Sequence, residues 1–251
     1  MNKGVIIVDF DNWFKKSISD YTDNEVEFEF KQLIDKIVSD HSDIEDIEIR
    51  LYGGWYKENV FTQKASELQL LLARVDVFPW ININDSKIVK GKVVLTSSIN
   101  DLPSYEWFNT LKEKKGIASL RINNSELTDK CEHNRAICAP HILKKFTQRK
   151  NRICSVNECT GVHNDIFIRM EQKMVDTMIA CDIISYCEDE EYIVILLVSE
   201  DIDHFPALAM GSSKLAQYNR STNLTVAIKN TAIKNEYDQI LGKFNLKTTL
   251  F

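Results

Sequence analysis

The chain has 251 residues, 44% of them hydrophobic, and a formal net charge of -6. That is enough apolar material for one larger core or two small ones, and the acidic balance excludes a globally basic nucleic-acid coat while leaving room for a local basic patch. No apolar run reaches the roughly 18 residues that span a bilayer, and the N-terminus enters a strand without the features of a signal peptide, so the cytoplasm is the expected compartment and no membrane partner is expected. Six cysteines, several of them near histidines, point to metal binding or free thiols rather than a disulfide framework.

In chain order, a first strand is expected over residues 4–9. Phe28, Phe30, Leu33, Ile34, Ile37 and Val38 recur at helical spacing and predict a helix over 28–38. A strand over 47–52 follows, then an amphipathic helix over 59–73 that leads into the apolar run 75–80. Residues 82–125 are less regular, with strands expected at 92–96 and 117–122. Residues 126–165 hold four of the six cysteines, most of the histidines and a dense basic stretch, and read as an insert. After it come a long helix over 167–186, a strand over 192–198, a helix over 203–218, a strand over 224–228, a short helix over 233–241 and a last strand over 243–247. This alternation favours a mainly parallel sheet. With no internal repeat or flexible linker, a single domain over 1–251 with an insertion at 126–165 is the simplest arrangement.

Three acidic clusters stand where strands or helices meet loops. Asp9 and Asp11 lie in Val5-Ile-Ile-Val-Asp-Phe-Asp-Asn12, Asp176 ends Glu171-Gln-Lys-Met-Val-Asp176, and Asp201 and Asp203 follow Ile193-Val-Ile-Leu-Leu-Val-Ser-Glu. The first and third follow runs too apolar for exposed strands, as in central parallel strands covered on both faces. Ligands of open α/β sheets bind at the carboxyl ends of such strands, so these acids are expected to converge. Clustered carboxylates repel each other unless a hard divalent cation neutralises them, which points to magnesium or manganese and to metal-assisted attack of water on a phosphoryl group. The plainer alternatives are an N-cap at Asp11 or Asn12, and a surface salt bridge between Lys173 and Asp176 on one helix face.

The insert carries Cys138-Ala-Pro-His141 followed by Cys154-Ser-Val-Asn-Glu-Cys159. Two ligand pairs with short internal spacing are what a closed tetrahedral zinc site needs, so Cys138, His141, Cys154 and Cys159 are the expected ligands, with Cys131, His133 and His163 as alternatives. Between the pairs, Lys144, Lys145, Arg149, Lys150 and Arg152 surround Phe146, a pattern suited to phosphate contacts and base stacking and equally to a solvated helix face. Trp55 is expected in the core.

The order Val-Asp-Phe-Asp-Asn12, Glu-Gln-Lys-Met-Val-Asp176 with Asp182, and Val-Ser-Glu-Asp-Ile-Asp-His-Phe-Pro206 resembles the NYN domains of the PIN-like ribonuclease superfamily over nearly the whole chain. The resemblance implies a three-layer α/β/α fold, an acidic site for magnesium or manganese, and hydrolysis of RNA. Asp9, Asp176 and Asp201 match its metal-binding acids, and Asn12, Asp182 and Asp203 its supporting positions. Short cysteine-bearing inserts ahead of the Lys-x-Val-Asp segment also occur in that family. Glu200, Ile202 and His204 depart from the family's Gly, Ser and Phe. The expected function is therefore a cytoplasmic, metal-dependent ribonuclease with RNA as partner, alone or as a homo-oligomer or part of a larger assembly. Two rivals remain. One is a haloacid-dehalogenase-type phosphatase with Asp9 as nucleophile, which leaves Asp176 idle; the other is a non-catalytic RNA-binding or regulatory module with a degenerate site, suggested by the extra carboxylate of Glu200.

Overall fold

The computed structural model describes residues 2–82, 87–116, 123, 138–147 and 158–251. The chain divides into two compact units, one built from Met1–Thr110 with Gln172–Phe251 and the other from Leu111–Glu171. The expected insert, 126–165, falls inside the second.

The first unit is mixed α/β around a mostly parallel sheet. Its strands are β1 (Lys3–Asp9), β2 (Asp46–Tyr52), β5 (Trp80–Asn82), β6 (Lys87–Leu95), β9 (Tyr192–Val198), β10 (Asn223–Ile228) and β11 (Lys247–Leu250), in the spatial order β11-β10-β9-β1-β2-β6-β5. Every pairing is parallel except the edge pair of β5 and β6. Because successive residues of a strand face opposite sides, the central strands feed two cores. Ile6, Val8, Ile47, Ile49 and Leu51 join α2 (Asp23–Asp40) and α3 (Gln63–Leu72), while Val5, Ile7, Ile195 and Leu197 join α6 (Val175–Glu188), α7 (Phe205–Gln217) and α8 (Thr231–Leu241). Strands β1 and β9 stay apolar and buried along most of their length, and Asp9 and Asp201 stand at or just past their ends.

Helix α2 begins earlier than its apolar spacing indicates. Thr22 and Glu25 form a reciprocal capping box, so the polar first turn is held by side-chain bonds to the backbone rather than by burial. Its inner face buries Val26, Phe30, Leu33, Ile34, Ile37 and Val38. Truncating a fully buried Phe30 to Ala would cost about 3–5 kcal/mol.

The strand expected over 92–96 runs from Lys87 to Leu95, and three further expected elements differ more from the structure. The helix expected over 59–73 begins only at Gln63, because Val60–Phe61 (β4) pairs antiparallel with Tyr56–Lys57 (β3) across a two-residue turn in which Glu58 and Asn59 both have positive φ; Thr62 then caps α3 by accepting from the Ala65 amide at 3.2 Å. The helix expected over 167–186 is two elements. Ile168–Gln172 is a strand, β8, paired with β7 (Leu111–Lys115), and Met174 at φ 67 separates it from α6. Lys173 therefore shares no helix face with Asp176, and its amide bonds to the Thr110 carbonyl at 2.9 Å. The strand expected over 243–247 starts at Lys247 instead, since Gly242–Phe244 is a 3-10 turn closed by Asn245 at φ 59. The strand expected over 117–122 lies outside the described residues.

Within the second unit, β7 and β8 pair, and α4 (Ala139–Thr147) and α5 (His163–Ile166) are described. Among the described residues no helix is long and apolar enough to cross a membrane.

Candidate functional site

The chain passes from β1 to its neighbour β2 on one side, and from β9 to its neighbour β10 on the other, so β1 and β9 flank the point where the sheet's connections diverge. The carboxyl ends of two such strands leave a crevice that no crossover covers. Asp9 ends β1, and Ser199, Glu200 and Asp201 follow β9 directly.

Asp9 is 7% exposed and fixed from two sides. Its Oδ1 caps the short helix α1 (Phe10–Trp13) by accepting from the Asn12 amide at 3.4 Å, and its Oδ2 accepts from the Ser199 hydroxyl at 3.1 Å. The cap reading and the site reading thus meet in one residue, with Asp9 rather than Asp11 or Asn12 as the cap. Asn12 binds the two strand ends together: its Oδ1 accepts from the Glu200 amide at 2.8 Å. Ser199 does the same from the other strand, accepting from the Asp201 amide at 3.1 Å while donating to Asp9. Asp201 closes a tight turn by accepting from the Asp203 amide at 2.9 Å, which sets the start of the 3-10 turn Ile202–His204.

Asp176 lies in the first turn of α6, where the helix dipole favours an anion. Burial nevertheless pushes its carboxyl above the ordinary range; His204 pulls it down, and the carboxylates of Asp9, Asp201 and Asp203 push it up again. Acids from three separate segments therefore sense one another, as the strand-end placement predicts. Asp176 has no hydrogen-bond partner among the described residues. Among those residues, no three acid, histidine or cysteine side chains stand close enough to enclose an ion as they are placed. The acids form an open group of oxygen donors in like-charge conflict, with one buried imidazole beside them.

Asp182 is not part of this group. It is fully buried on the same helix, accepts from the Asn100 amide at 2.7 Å and from the Tyr52 hydroxyl, and pairs with Arg50 at 3.0 Å. Burial pushes its carboxyl up, and Arg50, Tyr52 and Asn100 oppose that. Glu200 also turns away. Its Oε1 accepts from the amides of Lys229 and Asn230 at 2.9 and 2.7 Å, and its carbonyl accepts from Tyr237 at 2.5 Å, so the extra carboxylate ties the end of β9 to the end of β10.

Three neighbours escaped the sequence reading. Ser199 reads only as part of a quoted motif, and His204 only as a departure from it. Lys64, in the first turn of α3, pairs with Asp11 and lies 5.0 Å from the Phe10 ring centre; burial lowers its ammonium to about 8 against the pull of Asp9. Nothing in the local sequence marks Lys64, since more than fifty residues separate it from the acids it meets. Trp55 is fully buried, as expected.

Of the expected zinc ligands, Cys138 is buried just ahead of α4, His141 is half-buried in its first turn, and Cys159 is exposed. Cys154, Cys131 and His133 lie outside the described residues, and His163 opens α5. Of the basic residues, Lys144 and Lys145 are on α4, while Arg149, Lys150 and Arg152 lie outside the described residues. Comparison with protein-family models, with curated proteins and with solved structures gives no match for this chain.

Proposed function

We propose that this chain is a metal-dependent ribonuclease of the NYN/PIN-like kind, with its sheet and helices as a three-layer α/β/α body and a zinc-binding insert over 126–165. The carrying observation is that Asp9 at the end of β1 and Asp201 after the end of β9 are joined through Ser199, while Asp176 feels both of them and Asp203 and has no donor among the described residues. Asp9, Asp176 and Asp201 are the proposed holders of magnesium or manganese. When bound, such a cation neutralises the acids, activates water and stabilises the leaving oxygen of a phosphodiester.

The remaining roles belong to the chain itself. Ser199 and Asn12 fix the orientation of Asp9 and the path of the β9 loop, so the strand-end donors are held before substrate arrives. Asp203 is exposed on the turn that follows Asp201, and Asp182 ties α6 to β2 through Arg50 and Tyr52. Lys64 is placed to meet a substrate phosphate beside the acids, and Lys144, Lys145, Arg149, Lys150 and Arg152 are proposed to guide the RNA backbone. Cys138, His141, Cys154 and Cys159 are the proposed zinc set. The amide bonds that Glu200 makes turn its carboxylate toward the end of β10, which supports an intact site over a degenerate module.

The test is incubation of the purified chain with labelled RNA, labelled DNA and a generic phosphomonoester, with manganese or with chelator. Cleavage of RNA only with metal is expected. Phosphate release from the monoester, or no turnover of any substrate, contradicts the reading.

A further inference from the structure

His204 is a buried imidazole, 1% exposed, and among the described residues neither Nδ1 nor Nε2 has a hydrogen-bond partner. Leaving buried polar atoms unpaired is costly, and in native proteins such atoms are met by water, an ion or a ligand. The ring sits at the end of the turn that Asp201 initiates, and its Nε2 stands 3.6 Å from Asp9 Oδ2.

Resting on the acidic metal site proposed above, we propose that His204 is a nitrogen ligand of the same cation, bound through Nε2 beside Asp9 Oδ2, and that this makes the site selective for manganese over magnesium. At 3.6 Å the two groups are too far apart to be bonded to each other, since a direct N–H···O bond spans about 2.7–3.2 Å. The Ser199 hydroxyl and the Asn12 amide fix the orientation of the Asp9 carboxylate beside the ring.

The donor set decides the metal. Magnesium demands oxygen ligands, keeps its water and accepts imidazole reluctantly; manganese takes carboxylates equally well and tolerates a nitrogen. A site with one imidazole among aspartates therefore discriminates by ligand softness, which a purely carboxylate site cannot do. The unpartnered Nδ1 is the position through which metal-bound histidines are usually oriented, and a water there completes the arrangement.

The experiment uses the full chain, stripped with chelator and reloaded with manganese alone. Pulsed electron paramagnetic resonance should show nitrogen modulation from a coordinated imidazole, altered when the protein carries 15N-histidine and absent in His204→Phe. His204→Phe should bind manganese at least about tenfold more weakly, since removing even an outer-shell partner costs that much, and its preference for manganese over magnesium should shrink by a similar factor. Thermal melts in chelator establish that the variant is folded, and His204→Gln, which keeps a polar group in the pocket, carries the same comparison if it is not. Manganese bound without nitrogen modulation in the unaltered protein overturns the role of His204 and leaves the acidic site standing. Modulation that persists in both variants belongs to another histidine and overturns it equally. No manganese binding at all overturns this inference and the acidic site together.

Discussion

Helix α6 carries two aspartates in opposite circumstances. Asp182 is fully buried, and its oxygens are met by Arg50, Tyr52 and the Asn100 amide. Asp176, one and a half turns earlier, is largely exposed, has no donor among the described residues, and feels three other aspartates. Exposure alone would suggest that Asp176 is the idle residue and Asp182 the important one. The bonding says that each matters differently: a carboxylate supplied with donors from distant segments holds the fold, and one crowded by like charges lowers stability until something outside the chain neutralises it.

The largest expected effect breaks the Asp182 side of this contrast. Asp182→Ala leaves the buried Arg50 guanidinium with Glu48 as its remaining ion-pair partner among the described residues and the Asn100 amide without its acceptor; losing one partner of a buried pair costs about 3–5 kcal/mol, to be read from urea unfolding. Asp176→Asn should act the other way, abolishing metal-dependent RNA cleavage by at least about 100-fold, the upper end of what losing an outer-shell partner of a metal site costs, while the melting temperature holds or rises. An Asp176→Asn protein that melts as low as Asp182→Ala would erase the distinction.

Glu200 sharpens it, being an acid near the site that is fully committed to backbone amides. Glu200→Ala should cost about 1–2 kcal/mol from the unpaired Lys229 and Asn230 amides and leave manganese affinity unchanged. A loss of manganese binding would mean that Glu200 belongs with Asp176 after all.

A pH series follows from the same contrast. In chelator, the native Asp176 carboxyl titrates above its unfolded value, so the stability it contributes is complete below the ordinary carboxylate range near pH 4 and is lost as pH rises through the raised native value. The stability gap between Asp176→Asn and the unaltered chain should be widest near neutrality and close as pH falls toward 4. The smallest effect concerns the two faces of α6. The Cys187 thiol is buried and pushed up to about 12, while Cys181 is exposed, so alkylation of the folded protein at pH 8 should modify Cys181 well before Cys187, as read by peptide mass spectrometry.

The sequence made the central strands and the strand-end acids readable, because β-branched runs such as Val5-Ile-Ile-Val8 permit few other structures and an acid that ends one has few plain reasons to be there. The start of α6 was not readable. Ile168–Gln172 is too short for period-two alternation to stand apart from a helical turn, and Met174 adopts a left-handed conformation that no glycine or asparagine announces. The partners of Asp182 were equally hidden, since Arg50 and Asn100 come from segments far along the chain and meet it only through the fold. For the same reason His204 and Lys64 showed no local signal; burial and proximity, not spacing, bring them to the acids.

The most direct test of the central claim is the manganese-induced shift in melting temperature of the unaltered chain, Asp176→Asn and Asp182→Asn, measured over a manganese titration from chelator-treated protein. A ligand that binds only the native state raises stability by RT ln(1 + [L]/Kd), so the unaltered chain should gain several degrees that grow with concentration, Asp176→Asn should gain little, and Asp182→Asn should start lower yet keep the full increment. An increment that survives Asp176→Asn intact, or an unaltered chain that gains nothing, would contradict the assignment of the acidic cleft as a cation site.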